Sequence, residues 1–516
     1  MAKLIYRVVS AGGALGCESS LESLKKALVG RVDAVISPGG STDAGPYYPG
    51  SGGQYVERHA VKNTLRNMVA AAERIEGPMI LGNCGIAGGD RNLDWMLEVA
   101  REVFEELDVH DTKVAVIQSE LDPAIVIDEL RAGLLRPVGV EPALDEASLR
   151  DSTIVGQMGI HPVLSALNSN AKYIFTCRSG DVALFAAGML RRGIAPGLAY
   201  HVGHVLAGGA LACDPGSSSD FLVAELYDDG SAVFISPDES RRCTPDSIAA
   251  HMLHGQAHPQ LQFYPEGVLA MARTEYFAVD TRTAGIRKSR FYRVGKPWPL
   301  SIKLEGARRV ESAAAGSLPG PDTIDTIDTT DATNAYTWTL YHLLQNEDVI
   351  RNRMFPIHYY RANGREWNKT GEARADYFDV GEPAGAQNLD DRTLSLIEDV
   401  PPDPPLGTLP RSRRLVDIAR VIRSKDAGIN RLTFDVLFVS KDAYEAALRS
   451  NCFCTRNVAD ALGFELTSVV GTYFVDNCNA IKITVEKPVI SASPSERDGF
   501  RTQKQSMLER MIIPTD

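Results

Sequence analysis

The sequence predicts an α/β fold with a mostly parallel doubly wound sheet, an α+β extension and a small separate C-terminal α/β domain. Between residues 4 and about 210, apolar runs alternate with glycine-rich turns and amphipathic helical patterns. This alternation is typical of a parallel sheet covered on both faces. From 220 to 310 the pattern changes to that of hairpins. After a proline-rich stretch, strand-like runs return around an amphipathic helix between residues 415 and 485.

Six apolar runs in the first part are predicted strands, and a polar or glycine-rich loop follows each of them. The predicted strands are 4–9, 32–36, 78–82, 113–117, 153–156 and 172–177. Because parallel strands end at the same edge of a sheet, we expect the six loops to converge. Ligands bind at that edge in open α/β folds.

The loop at 37–53 is the longest of the six and contains six glycines. Loops of more than about 12–15 residues without regular structure are usually functional or disordered. Its composition favours a small anionic ligand, and the alternative is a surface loop stiffened by prolines. The polar side chains of this loop are Ser41, Thr42, Asp43, Tyr47 and Tyr48.

The remaining segments define the predicted domain organisation. A hairpin is predicted around Asp229-Gly230 and a further strand at 300–306. The predicted divisions are a core domain at 1–310 with a β-rich part from about 220, a core extension with an acidic loop at 311–379, a proline-rich linker at 380–412, a C-terminal α/β domain at 413–495 and a tail at 496–516.

Composition excludes several classes of function. The chain of 516 residues has a net charge of −12 and no basic stripe, which argues against a nucleic-acid partner. We expect no signal peptide, because the N-terminal apolar run contains a charge and no small-residue cleavage site follows it. We expect no membrane span, because no run of about 18 apolar residues occurs. Neither GxGxxG nor GxxxxGK[ST] is present, so no NAD or ATP cofactor is predicted. Eight cysteines without a CxxC motif predict reduced thiols in a cytoplasmic protein.

Candidate chemical groups lie at the predicted strand ends. One of Asp43 and Glu120 can act as a general acid and the other as a general base if their environments give them different pKa values. The alternative for both is a solvated or helix-capping carboxylate. Arg178 can bind a substrate carboxylate or form a structural ion pair. Asp181 has the position of a helix N-cap.

Two histidine pairs are spaced to share a helix face, namely His201 with His204 and His251 with His254. Without an HExxH motif or a third ligand, no metal is predicted. His201 and His251 remain candidates for general acid or base catalysis. Cys84 precedes a glycine at a strand-to-helix turn, but no base for a thiol nucleophile is evident.

Residues 1 to about 310 resemble the acyclic terpene utilisation (AtuA-like) family. The resemblance rests on motifs whose order agrees over some 260 residues. These motifs are Gly40–Gly52, Ala87–Gly89, Ser119-Glu120, Val155–Gly159, Asp181 with Phe185–Ala187, Arg242–His251 and Lys303–Ala307. Residues 415–490 are similar to a small uncharacterised domain that bacteria usually encode beside this family. The fusion suggests that both parts act on one substrate or form one complex.

Positions where this sequence differs from the family pattern indicate which candidate site residues to favour. His204, His254 and Cys84 stand where the family has other residue types, which demotes them. The resemblance therefore favours a catalytic set of Asp43, Glu120, Asp181, His201 and His251. The predicted substrate-binding residues are Ser41, Thr42, Gly45, Tyr47, Tyr48, Gly85, Gln157, Arg178 and Arg282.

We expect from these features a cofactor-independent lyase of the hydratase or dehydratase type. Its substrate would be a small branched di- or tricarboxylic acid or the thioester of one. Two alternatives stay open, a cofactor-free isomerase of the same substrate class and a non-catalytic binding or scaffold protein. The predicted partner is an anionic organic acid, with neither nucleic acid nor membrane, and homo-oligomerisation is left open.

Overall fold

The computed structural model describes residues 2–16, 20–138, 144–293, 299–310, 336–380, 382–383, 411–488, 490 and 504–515. The predicted acidic loop at 321–331 and the proline-rich stretch at 401–405 lie outside these residues. The described part is a mixed α/β structure with one large mixed sheet and a separate small C-terminal sheet domain. Among the described residues, no helix combines the length and the apolar composition needed to cross a bilayer.

The strands are numbered in chain order. They are β1 (Leu4–Ser10), β2 (Ala34–Ser37), β3 (Met79–Leu81), β4 (Thr112–Ile117), β5 (Glu120–Leu121), β6 (Leu135–Pro137), β7 (Thr153–Gly156), β8 (Tyr173–Thr176), β9 (Leu222–Tyr227), β10 (Ser231–Ile235), β11 (Leu261–Tyr264), β12 (Gly267–Ala270), β13 (Glu275–Ala278), β14 (Ala284–Arg287), β15 (Arg290–Arg293), β16 (Ile302–Arg309), β17 (Tyr336–Leu344), β18 (Ile357–Asn363), β19 (Glu366–Ala373), β20 (Glu382–Pro383), β21 (Arg411–Arg414), β22 (Ala419–Asp426), β23 (Arg431–Phe438), β24 (Val469–Val475), β25 (Ala480–Glu486) and β26 (Ile512–Thr515).

The helices are numbered in the same way. They are α1 (Leu21–Ala27), α2 (Tyr47–Ser51), α3 (Arg58–Ala72), α4 (Asp90–Glu106), α5 (Pro123–Arg131), α6 (Glu146–Arg150), α7 (Ile160–Asn168), α8 (Asp181–Arg191), α9 (Pro196–Ala207), α10 (Pro245–His251), α11 (Glu347–Arg353), α12 (Leu415–Ile418), α13 (Lys441–Arg449), α14 (Thr455–Leu462) and α15 (Ser506–Glu509).

The large sheet is built around five parallel strands in the order β1-β2-β3-β8-β4. Their sequences are short continuous apolar runs because both faces of the strands are covered. One face packs against α1, α3 and α4. The opposite face packs against α7, α8 and α9. The prediction of a doubly wound parallel sheet is confirmed for these five strands.

Strand β7, at 153–156, was expected in the same parallel sheet, and that expectation is wrong. It lies in a second sheet with the order β5-β7-β16-β17-β6 and pairs antiparallel to β5 and β16. The loop after it still reaches the edge of the parallel strands, because Met158 forms a parallel bridge with Ser179. The crevice is therefore formed between two sheets.

Antiparallel strands flank the parallel centre on both sides. The predicted hairpin around Asp229-Gly230 is confirmed as β9 and β10, and β9 pairs with β1. Strands β18 and β19 extend the other side from β4. The described C-terminal residues form a sheet in the order β22-β23-β25-β24, with α13 and α14 packed against it.

Glycine allows the loops at the carboxyl edge to approach one another closely. Gly88 has a φ of +69°, and a Cβ there would lie 2.4 Å from the backbone nitrogen of Arg178. The carbonyl of Gly88 accepts a hydrogen bond from that nitrogen at 2.8 Å. The loop after β3 is thereby fixed to the loop after β8.

We expect Gly88→Ala to destabilise the protein more than Gly193→Ala. Gly193 also has a positive φ, of +78°, but a Cβ there would meet nothing within 4 Å. Gly193→Ala therefore measures the backbone strain alone, about 1–2 kcal/mol. Gly88→Ala adds a backbone clash and should cost at least about 1 kcal/mol more. Urea unfolding of both variants checks this, and equal losses would contradict the close approach.

Candidate functional site

A cleft of about 400 Å³ lies at the carboxyl edge of the parallel strands, and a smaller chamber of about 110 Å³ adjoins it. Asp43, Arg178 and Lys425 line both spaces. The walls come from the loops after β2, β7 and β8, from α9 and α10, and from the turn between β22 and β23. Size and location match a binding site for a small molecule.

A larger cleft of about 870 Å³ lies at the opposite edge, where the strands begin. Three of the cations that line it are engaged in structural contacts. Arg31 and Arg192 pair with Asp33, and Lys172 donates to the carbonyls of Ile75 and Gly77. We therefore place the candidate site at the carboxyl edge.

Asn83 connects three strand ends. Its fully buried amide donates to the carbonyl of Pro38 at 2.9 Å and to Oδ1 of Asp181 at 2.9 Å. Its Oδ1 accepts from the guanidinium of Arg178 at 3.0 Å and from the backbone of Ser179 at 2.9 Å. One side chain thus orders the loops after β2, β3 and β8.

The prediction that Asp181 is the N-cap of α8 is wrong, because Gly180 holds that position and Asp181 is the first residue of the helix, at the cleft wall. Burial raises the pKa of Asp181 to about 6, although Arg178 and the hydrogen bond from Asn83 act in the opposite direction. Asp43 raises it further through charge repulsion. At neutral pH Asp181 therefore exchanges between a carboxylic acid and a carboxylate, which suits a general acid or base.

Asp43 follows Thr42 in a short 3-10 turn that Ser41 caps. Its Oδ2 lies 3.1 Å from Nζ of Lys425, and its side chain is 41% exposed. Burial alone would raise the pKa of Asp43, but the charge and hydrogen bond of Lys425 outweigh burial and lower the pKa. Asp43 therefore remains ionised at neutral pH.

Three cations and three carboxylates line the smaller chamber. The buried carboxylate of Glu305 lies 2.8 Å from both Nε of Arg178 and Nζ of Lys303. Burial would raise the pKa of Glu305, but the two cations outweigh burial and lower it. Two cations thus share one anion, and Nζ of Lys303 also lies 3.3 Å from the hydroxyl of Tyr341. Arg178 and Lys303 together therefore carry one positive charge more than Glu305.

Three histidines line the larger cleft. Burial lowers the pKa of His204 to about 4, and burial together with neighbouring cations lowers that of His254 to about 2. Burial, with His204 and His254 nearby, also lowers the pKa of His251. Nδ1 of His204 lies 3.1 Å from the hydroxyl of Tyr264. These neutral imidazoles can exchange hydrogen bonds with a ligand, but they carry no charge at neutral pH.

Many of the predicted site residues meet at these two spaces. Those that line one or both are Ser41, Thr42, Asp43, Gly45, Gln157, Arg178, Asp181 and His251. They come from loops that are distant in sequence, as the convergence of strand ends predicted.

Other predicted residues lie outside the cleft. His201 faces Ser289 and Tyr276, and Glu120 accepts a hydrogen bond from the backbone of Asp90 at the start of α4. Arg282 donates to the carbonyls of Asp238 and Arg241. Gly85 packs against α4, and Tyr47 and Tyr48 form an edge-to-face pair with each other.

Sequence reasoning missed several residues of the site. His204 and His254 had been demoted, and Asn83, Lys303, Glu305 and Lys425 had been given no role. Lys303 and Glu305 did leave a signal, because two charges at i and i+2 lie on one face of a strand, opposite the face of Ile302 and Leu304. Lys425 left none, because its partner Asp43 is far away in sequence.

Cys84 is fully buried, and burial raises the pKa of its thiol far above the ordinary value. It is therefore unsuited to act as a nucleophile. Within the described ranges, no group of three or more histidine, cysteine or acidic side chains is placed to hold a metal ion.

Comparison with known proteins finds a match for the C-terminal part of the chain. Residues 415–511 match a domain of unknown function, DUF4387. This match coincides with the small C-terminal domain and includes the turn that carries Lys425. No curated protein and no solved structure matches the chain significantly.

Asn83→Ala is expected to lower the free energy of unfolding by about 3 kcal/mol, because it leaves buried donors and acceptors without partners. Asn170→Ala is the matched control, since Asn170 also has a positive φ but is exposed and contacts Arg191 only at the surface. The control should lose about 1 kcal/mol or less. Similar losses in chemical denaturation would contradict the role of Asn83.

Asp181→Asn should become more stable relative to wild type as the pH rises. The wild-type carboxyl has a raised pKa of about 6 in the folded state, so its stabilising contribution is complete below about pH 4 and declines through about pH 6. We expect the difference in free energy of unfolding to shift by about 2 kcal/mol between pH 4.5 and 7.5. A difference for Asp181→Asn that does not change with pH would refute the shifted pKa.

Proposed function

We propose that the protein is a cofactor-independent lyase of the hydratase or dehydratase type that acts on a small organic acid. The observation that carries this proposal is a pair of carboxylates in one cleft whose pKa values are shifted in opposite directions from the ordinary value for aspartate. Burial raises that of Asp181, and Lys425 holds that of Asp43 low. Such separation is how paired carboxylates divide acid and base roles.

The two carboxylates support a balanced dehydration. Asp43, as carboxylate, removes the proton from the carbon next to the substrate carboxylate. The electron pair left on that carbon forms the double bond as the hydroxyl group leaves the neighbouring carbon. Asp181, as carboxylic acid, gives its proton to the departing hydroxyl, which leaves as water. Hydration is the reverse sequence.

Substrate charge is inferred from the smaller chamber. Lys303 and Arg178 share Glu305, so this group of three residues carries one positive charge, which supports contact with a substrate carboxylate. The chamber as a whole is lined by three cations and three carboxylates, so the ligand carboxylate would take the place of one of them. The limited volumes favour a small branched di- or tricarboxylic acid, or the acyl part of its thioester. The resemblance of residues 1 to about 310 to the acyclic terpene utilisation (AtuA-like) family also supports a role in small-acid metabolism.

A cofactor-free isomerase would use the same two carboxylates without loss of water. Asp43 would remove a proton from one carbon, and an acid would return a proton to another carbon. The two reactions differ in whether water enters the product, so one experiment distinguishes them. A non-catalytic binding protein would carry out neither reaction.

Proton NMR in D₂O with a panel of hydroxy acids and the corresponding alkenes tests the proposal. We expect gain or loss of the alkene signal for at least one pair. Asp43→Asn and Asp181→Asn should each lower the rate by 10²–10⁴-fold, the usual contribution of a general acid or base. The exposed Asp108→Asn is the control and should retain the wild-type rate.

The same spectra report the alternatives. Deuterium incorporation with double-bond migration and no net change in water would support the isomerase. An unchanged rate in both Asp43→Asn and Asp181→Asn would contradict the assignment of these carboxylates as acid and base.

A further inference from the structure

The end of β22 and the turn that follows it, residues 425–429, place the C-terminal domain in the wall of the candidate site. Lys425, Asp426 and Gly428 line both the larger cleft and the smaller chamber, and Ile429 lines the smaller chamber. These residues belong to the region that matches the domain of unknown function. The site is thus formed by both parts of the chain.

Specific contacts hold this turn in position. Ile429 packs with Ala307, Trp338 and Tyr341 of the second sheet. A Cβ at Gly428, where φ is +74°, would lie 2.6 Å from the hydroxyl of Tyr341. Asp426, beside Lys425, forms an ion pair with Lys487 at 2.9 Å. These contacts fix the position of the turn in the wall of the smaller chamber.

A second set of contacts fixes the domain to the segment that carries two of the cleft histidines. Lys482 donates to the carbonyl of Leu253 at 2.7 Å, and Arg423 donates to that of Ala250 at 2.8 Å. Thr484 donates to the carbonyl of Ala257 at 2.8 Å. These bonds lie on both sides of His251 and His254, so the C-terminal domain also positions that wall.

Lys425 differs from the other cations of the site. Arg178 and Lys303 have side chains that are 7% and 21% exposed and share the buried carboxylate of Glu305. Lys425 is 32% exposed, and its partner, Asp43, is 41% exposed. A partly exposed ion pair is easily replaced, because water and other ions compete for both members.

We propose that Lys425 of the C-terminal domain is a substrate-binding residue that exchanges its partner Asp43 for a carboxylate of the bound acid. This inference rests on the proposed function for the class of ligand. The exchange would separate Asp43 from Lys425, so the pKa of Asp43 would rise and the carboxylate would become a stronger base than in the free protein, while Arg178 would still lower that pKa. Binding of the acid would therefore prepare the residue that removes the proton.

Calorimetric titration of the full chain with tricarballylate tests this assignment. The probe is a saturated tricarboxylate that can neither lose a hydroxyl group nor add water, so binding is measured without turnover. Lys425→Met should weaken binding by at least about tenfold, the usual scale for losing a charge-assisted contact. Lys425→Arg should stay within about threefold of wild type. Lys441→Met, an exposed lysine of the same domain, should leave the Kd unchanged.

The variant Asp43→Asn distinguishes two roles for Lys425, namely binding of the substrate and a purely structural ion pair with Asp43. Removing the competing carboxylate should tighten tricarballylate binding several-fold if Lys425 exchanges partners. A structural pair predicts that Asp43→Asn and Lys425→Met leave the Kd as it is while both lower stability. Circular dichroism and thermal melting of each variant establish that it is folded.

The possible results separate this inference from the proposed reaction. Tricarballylate binding that is equal in wild type and Lys425→Met, or no binding by wild type, would overturn the role of Lys425. Lys425-dependent binding without turnover of any tested acid would support the role of Lys425 and count against the lyase.

Discussion

The buried amide of Asn83 is the interaction on which the candidate site depends. It joins the loops after β2, β3 and β8 through the Pro38 carbonyl, Asp181 and Arg178. An amide has two donors and one acceptor oxygen, and all of them are satisfied within the protein. The positions of Asp181 and Arg178 relative to one another follow from this single side chain.

Burial then determines the chemistry of the charged groups. Asp181 is buried, and Arg178 offsets the cost of burying its charge only in part. The carboxyl group of Asp181 therefore has a pKa of about 6. Arg178 and Lys303 stay charged because Glu305 lies between them. Asp43 faces the open part of the cleft and pairs with a lysine from another domain. The same fold thus provides an acid, a base and a pair of cations that share one carboxylate at one edge of a sheet.

Particular residues show how far the sequence could predict this arrangement. Apolar runs and the loops after them located the parallel strands, and hence Asp43, Arg178 and Asp181, because strand ends converge for topological reasons. Apolar runs could not assign β7 to its sheet, because a buried strand has the same pattern in either one. In α9 nearly every side chain is buried, so no polar face indicated that His204, and not His201, reaches the cleft. The sequence could not predict that Lys425 reaches the site, because that depends on how the two domains pack.

Carbon-13 NMR of the full chain with labelled aspartate carboxyl groups tests the central claim most directly. Asp43→Asn and Asp181→Asn identify the two signals by their disappearance. The account predicts that Asp181 titrates near pH 6, while Asp43 titrates below the ordinary aspartate value of about 3.9. Titration of both carboxyls near that ordinary value would contradict the division of acid and base roles between them.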